Sequence, residues 1–140
     1  MTGYHYTTLA NWKKIKKEGL KPRLVEQHHL HTIRIAARDW SIQDFEGVWV
    51  WAKKPEGKSH LGNILRVVAL HNSPRVVQLE INLDTVREFM VDGYREVNFY
   101  HHGSIGKWDY HLKDLGKIII DPIPPEYITK IGEWDLLKLV

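Results

Sequence analysis

Tyr4 to Arg23 reads YHYTTLANWKKIKKEGLKPR, and the architecture follows from it. The stretch is a short strand, two threonines and an amphipathic helix that stops at a glycine. Leu9, Trp12 and Ile15 fall three apart near one helical face and supply its buried side. Lys13, Lys14, Lys16 and Lys17 sit largely off that face and late in the helix, where cations complement the macrodipole. Thr7 or Thr8 can cap the first turn. Gly19 is read as the left-handed residue after the last turn, and Pro22 prevents the helix from resuming. Such a strand–helix unit is common. Its unusual feature is Tyr-His-Tyr-Thr, which puts His5 where the strand is expected to turn into the helix.

Outward from this unit, Gly47–Ala52 is a strand of β-formers. Alternation puts Val48 and Val50 on one side and Trp49 and Trp51 on the other. After a loop with Pro55 and Gly57, Ser59 is expected to cap a helix to about His71, with Leu61, Ile64, Leu65, Val68 and Ala69 at helical spacing. Pro74 opens the strand Arg75–Leu83, apolar at Val77, Leu79 and Ile81 and polar at Gln78, Glu80 and Asn82. Asp84 is read as the cap of a short helix, Thr85–Met90. Tyr94–Tyr100 reads as a strand packing through Tyr94, Val97 and Phe99, His101–Ser104 as a polar break, and residues 107–115 as a short helix. Lys117–Ile120 is a buried strand, followed by the proline turn Pro122–Pro125, the strand Tyr127–Ile131 and an apolar end, Leu136–Val140. Helices and strands intermingle without βαβ regularity, so the class is α+β. Residues 1–140 read as a single domain.

The 140 residues are 43% hydrophobic and 26% charged, ordinary for a globular chain. There is no cysteine, which excludes disulfides and thiolate chemistry. No run approaches membrane-spanning length and the start lacks a signal-peptide core, so no membrane role and a cytoplasmic location are expected. The net charge of +3 is compatible with nucleotide or nucleic-acid partners.

Tyr4, His5, Thr7, Ile15, Gly19 and Leu20 resemble, in order, the first motif of the ADP-ribosyltransferase superfamily in its diphtheria-toxin-like branch, roughly Tyr-His-x-Thr, a helix, then Ile-x-x-x-Gly-Leu. Gly47-Val48-Trp49-Val50-Trp51 resembles the family's second-motif strand, normally Gly-x-Tyr. Ile123-Pro124-Pro125-Glu126-Tyr127-Ile128 resembles the turn into a late strand in small bacterial and phage members and in tRNA 2′-phosphotransferases. The matches cover about a third of the chain. The resemblance implies a single ADP-ribosyltransferase-like domain with split, mixed β-sheets and flanking helices. It also implies NAD as the substrate and an oxocarbenium-like transition state, with no metal. His5 would hold a ribose hydroxyl and Trp49 would stack on nicotinamide in place of the usual tyrosine. Tyr4 and Thr7 would add polar contacts, Gly47 would open the second motif, and Tyr6 and Trp51 would wall the pocket. The family's glutamate, which stabilises the developing charge, has no counterpart before the Ile-Pro-Pro turn. Asp114 is the nearest carboxylate there.

Two other features bear on ligands. Arg34 and Arg38, four apart in a segment read as a short helix, can grip a pyrophosphate together or form a solvated basic face neutralised by Asp39 and Asp44. His28, His29 and His31 have a spacing that can chelate a metal, but a solvated or nucleotide-contacting loop fits them better. The resemblance implies a protein or a nucleic acid as the acceptor. The alternative is a catalytically inactive member that binds NAD, a related nucleotide, nucleic acid or a protein. A tRNA 2′-phosphotransferase normally carries an extra N-terminal domain, whereas this sequence starts at the first motif.

Overall fold

The computed structural model describes residues 1–27, 30, 31, 34, 40–88, 98–103, 106–111 and 116–138. Strand β1 (Thr2–Thr8) runs directly into helix α1 (Leu9–Glu18). Thr8 is the N-cap: its Oγ1 accepts the Asn11 N–H at 3.0 Å, while Thr7 Oγ1 accepts the Asn11 side-chain amide at 3.2 Å. The strand is longer than the sequence suggested, so His5 lies within it rather than at its junction with the helix.

At the other end of α1, the Gly19 N–H donates to the Ile15 carbonyl at 2.7 Å. Gly19 has φ 79° and ψ −173°, so it is not the left-handed helical residue expected. This region is open essentially to glycine alone. It turns the chain so that Leu20 and Ile123 exchange two backbone hydrogen bonds, of 2.9 and 2.8 Å.

Strands β2 (Arg23–Leu24), β3 (Glu46–Trp51), β4 (Arg75–Asn82), β7 (Gly116–Ile119) and β8 (Ile128–Asp135) join β1 in a six-stranded sheet, ordered β2-β3-β1-β4-β8 with β7 also on β3. A two-stranded hairpin, β5 (Asn98–Gly103) and β6 (Gly106–His111), forms a sheet of its own. Among the described residues every strand pairing is antiparallel, where a mixed sheet was expected. Together with α1 and helix α2 (Gly57–His71) this is an α+β architecture.

The sheet has a covering helix on each face. Ile15 of α1, with Leu9 and Trp12 beside it, packs on Val48, Val50, Val77, Leu79 and Ile81. Ile64 and Val67 of α2 pack with Tyr6 and Val76. The first half of the polar side of β4 is therefore covered, with Gln78 2% exposed, while Glu80 and Asn82 stay exposed. Helix α2 begins at Gly57, two residues before the expected Ser59 cap, and it leaves Leu61 and Leu65 half exposed. A third cluster joins Val25, Leu30 and Ile118, with Trp49, Ile42 and Phe45 against it.

Several local expectations are corrected. Asp84–Arg87 is a turn rather than the start of a helix, and Glu88 bridges to Ile119. The reason is a distant partner: Asp121 accepts the Arg87 backbone N–H at 2.9 Å and its guanidinium at 2.8 Å. Gly106–His111 is a strand rather than part of a helix, and His101–Gly103 belong to the strand that pairs with it. After a 3₁₀ turn at Pro125–Tyr127, β8 extends to Asp135 and skips Ile131 in its pairing with β4, a bulge on an edge strand. Residues 89–97, 104–105, 112–115 and 139–140 lie outside the described residues, and so do the parts of the sequence reading that fall on them, Tyr94 and Val97 included.

Candidate functional site

The site begins where β1 and β3 part. Their ladder consists of the pair Tyr4 and Trp51, whereas β1 pairs with β4 along its whole length. Beyond that pair, His5 Nδ1 lies 2.8 Å from the Trp49 carbonyl oxygen, so a side chain spans the gap. A carbonyl can only accept, so Nδ1 carries the proton. Desolvation of the half-buried ring pulls the His5 pKa below the ordinary histidine value, against the opposing pull of the hydrogen bond to Trp49. His5 is thus a neutral imidazole at pH 7, with Nε2 as a fixed hydrogen-bond acceptor.

A cleft of about 390 Å³ opens at this divergence, within the size range of small-molecule sites, roughly 300–1,000 Å³. Its walls come from β1, the β2–β3 pair, α1 and α2. They include His5, Thr7, Gly47, Trp49 and Trp51. The two tryptophans meet edge to face, with centroids 5.6 Å apart and planes at 90°. The Trp51 indole N–H donates to Asn63 Oδ1 of α2 at 3.1 Å, and Asn63 in turn donates to the Ser59 carbonyl at 2.8 Å. Trp51 is therefore braced by α2. Gly47 serves packing, since a Cβ there would run into the Ile118 methyl.

Tyr6 also borders the cleft, but its hydroxyl is engaged on the α2 side. It accepts from Gln78 Nε2 at 3.0 Å, so it donates to His60 Nδ1 at 2.7 Å. His60 packs edge-on against Trp134, centroids 4.6 Å apart. Desolvation pushes the Tyr6 pKa up to about 12. Tyr6→Phe leaves Gln78 and His60 without this partner, and a loss of about 1–3 kcal/mol is expected in urea unfolding. An unchanged midpoint would contradict the network.

The other sequence candidates are placed as follows. Tyr4 is half-buried and does not line the cleft. Arg34 also lies away from it: Nε and Nη2 both donate to the Ile42 carbonyl, at 2.9 and 2.7 Å, and Nη2 is 4.0 Å from Asp44. Arg38, Asp39, His28, His29 and Asp114 lie outside the described residues. His31 packs against Trp40, centroids 5.5 Å apart. Among the described residues no group of three or more His, Cys, Asp or Glu is placed to hold a metal ion, and no helix is long and apolar enough to cross a membrane.

The cleft cations are ones the sequence reading did not assign to it: Lys14 and Lys21, Arg23 of β2 and Arg66 of α2. A signal for Lys14 was present. Asn11, Lys14, Ile15 and Glu18 recur at helical spacing, and all four line the cleft. The position of Arg23 depends on β2 joining β3 opposite Gly47, which no local pattern announces. The cleft-lining carboxylates among the described residues are Glu18, 3.8 Å from Lys21 Nζ, and Glu26, 3.5 Å from Arg66 Nη2. No family model, curated protein or solved structure matches the chain.

Proposed function

We propose that the cleft binds NAD and that the protein transfers its ADP-ribose to an acceptor, as an ADP-ribosyltransferase-like domain. The observation that carries this reading is the His5–Trp49 hydrogen bond. It holds a neutral imidazole in the cleft with its acceptor nitrogen free for a ribose hydroxyl. The Trp49 and Trp51 rings supply apolar surface for nicotinamide, and Lys14 and Arg23 supply charge for the pyrophosphate. In the transfer, the bond between ribose C1′ and the nicotinamide nitrogen breaks, and nicotinamide leaves with the electron pair. C1′ then bonds the acceptor nucleophile, whose proton passes to solvent. Asp114 is assigned the charge-stabilising carboxylate.

A second reading is a member that binds NAD without turnover. It is favoured by the cleft carboxylates among the described residues, both of which face a cation. Both readings require NAD in the cleft. Titrating NAD into the protein should quench tryptophan fluorescence saturably, and Trp49→Phe should remove a large part of the amplitude. A non-saturating response identical in both proteins would contradict both readings.

A further inference from the structure

We propose that the lysine face of α1 docks single-stranded nucleic acid and leads it to the cleft, which makes a nucleic acid the acceptor. As a statement about the acceptor this rests on the NAD reading, but the docking itself does not. Lys13, Lys14, Lys16, Lys17, Lys21 and Arg23 are all exposed, and three of them, Lys14, Lys21 and Arg23, also line the cleft. The basic residues of α1 thus reach the cleft through Lys14.

Among the described residues most of this charge has no ion-pair partner. Lys21 faces Glu18, but among the described residues no carboxylate stands within ion-pair distance of Lys13, Lys14, Lys16, Lys17 or Arg23. Elsewhere on the surface Arg75 faces Asp135, Arg87 faces Asp121, Lys117 faces Glu88 and Lys130 faces Glu133, while Lys53, Lys54 and Lys58 also lack such a partner among the described residues. The macrodipole accounts for Lys16 and Lys17 in the last turn. It does not account for Lys13, Lys14 or Arg23, because the effect fades within one turn. An unneutralised strip of this kind matches a phosphate backbone, whose binding releases condensed counterions. A single strand fits better than a duplex, because a base held in a duplex is shielded from a narrow cleft.

The test is fluorescence anisotropy of labelled single-stranded DNA and RNA oligonucleotides, with a DNA duplex as a third probe, across a salt series. The variant is Lys13→Gln/Lys16→Gln/Lys17→Gln, which keeps helix propensity nearly constant and leaves the cleft residues intact. The wild type should bind at least one single strand more tightly than the duplex. The variant should lower the slope of log affinity against log salt by about 2 and weaken binding roughly 100-fold at about 0.1 M salt, as three lost phosphate contacts require. Its NAD titration should be unchanged, and His5→Ala should still bind the oligonucleotide. Loss of NAD binding in His5→Ala with retained oligonucleotide binding separates the two proposals. Three outcomes would overturn the docking surface: no oligonucleotide binding by the wild type, equal affinity and slope in the variant, or equal binding of polyglutamate. Equal affinity for the duplex would overturn the preference for a single strand.

Discussion

Gly19→Ala is expected to lower the melting temperature by roughly 15 °C. Two costs combine. The backbone at φ 79°, ψ −173° is strained for an L side chain, by about 1–3 kcal/mol. The added Cβ would also land on the Ile123 carbonyl oxygen, well inside contact distance. That oxygen cannot simply move, because it accepts the Leu20 N–H while Ile123 N–H donates back to Leu20. Giving up those two bonds adds about 1 kcal/mol each. The sum is about 4 kcal/mol, a large share of the roughly 5–15 kcal/mol that holds such a domain folded. Gly57→Ala is the control. Gly57 also has positive φ, 56°, but a Cβ there meets nothing within 4 Å. Its loss should stay near 1 kcal/mol. Thermal melts by circular dichroism compare the two. A Gly19→Ala melt within about 3 °C of wild type would contradict the described exit from α1.

The second large effect is functional. His5→Ala should weaken NAD binding by at least about 30-fold in calorimetry, the equivalent of about 2 kcal/mol for an acceptor lost from a partly desolvated site. The fold should persist, because the bond to the Trp49 carbonyl contributes only about 1 kcal/mol net. The pH dependence follows from the direction of the His5 shift. Its folded pKa lies below the ordinary 6.5, so the imidazole is already neutral through pH 7–8 and wild-type affinity should be flat there. Between the folded pKa and about 6.5 the unfolded chain binds a proton that the folded chain does not. Stability therefore falls as pH drops below about 6.5 and is recovered as pH rises through that window. His5→Ala should remove this contribution. Equal NAD affinity in the variant would remove His5 from the site.

Much of the frame was legible because its signals are local. Thr8, the Leu9-Trp12-Ile15 spacing and the break at Gly19 and Pro22 defined α1, and the aromatic and β-branched run at Val48–Trp51 defined β3. Misreadings arose where a distant partner or a competing period decided the outcome. Asp84 looked like a cap, but Asp121 captures Arg87 and holds that turn open. Residues 107–115 were read as a helix although Trp108, Tyr110 and Leu112 alternate with a period of two, the strand signal that β6 follows. Gln78 was read on a polar face, and only the arrival of Tyr6 and α2 buries it.

The site divides in the same way. His5, Trp49 and Trp51 came from the resemblance rather than from strand patterning, and all three line the cleft. That His5 reaches the Trp49 carbonyl could not be read, since it requires β1 and β3 to part after Tyr4 and Trp51. The same parting admits Lys14, Arg23 and Arg66 to one cleft. Arg34 offered either a phosphate grip or a basic face neutralised by nearby aspartates; it holds the Ile42 carbonyl eight residues on and lies 4.0 Å from Asp44. A guanidinium within reach of an unpaired carbonyl is satisfied locally before it can serve a ligand.

The His5 cleft is proposed to break NAD between ribose and nicotinamide. One-dimensional proton NMR of NAD incubated with the protein, with and without single-stranded oligonucleotide and cell extract, follows free nicotinamide directly. Nicotinamide resonances should grow with wild-type protein, faster with acceptor present, and stay at background with His5→Ala. NAD resonances that broaden with no release would favour binding without turnover. Release undiminished in His5→Ala, or NAD resonances unaltered by the wild-type protein, would contradict the account.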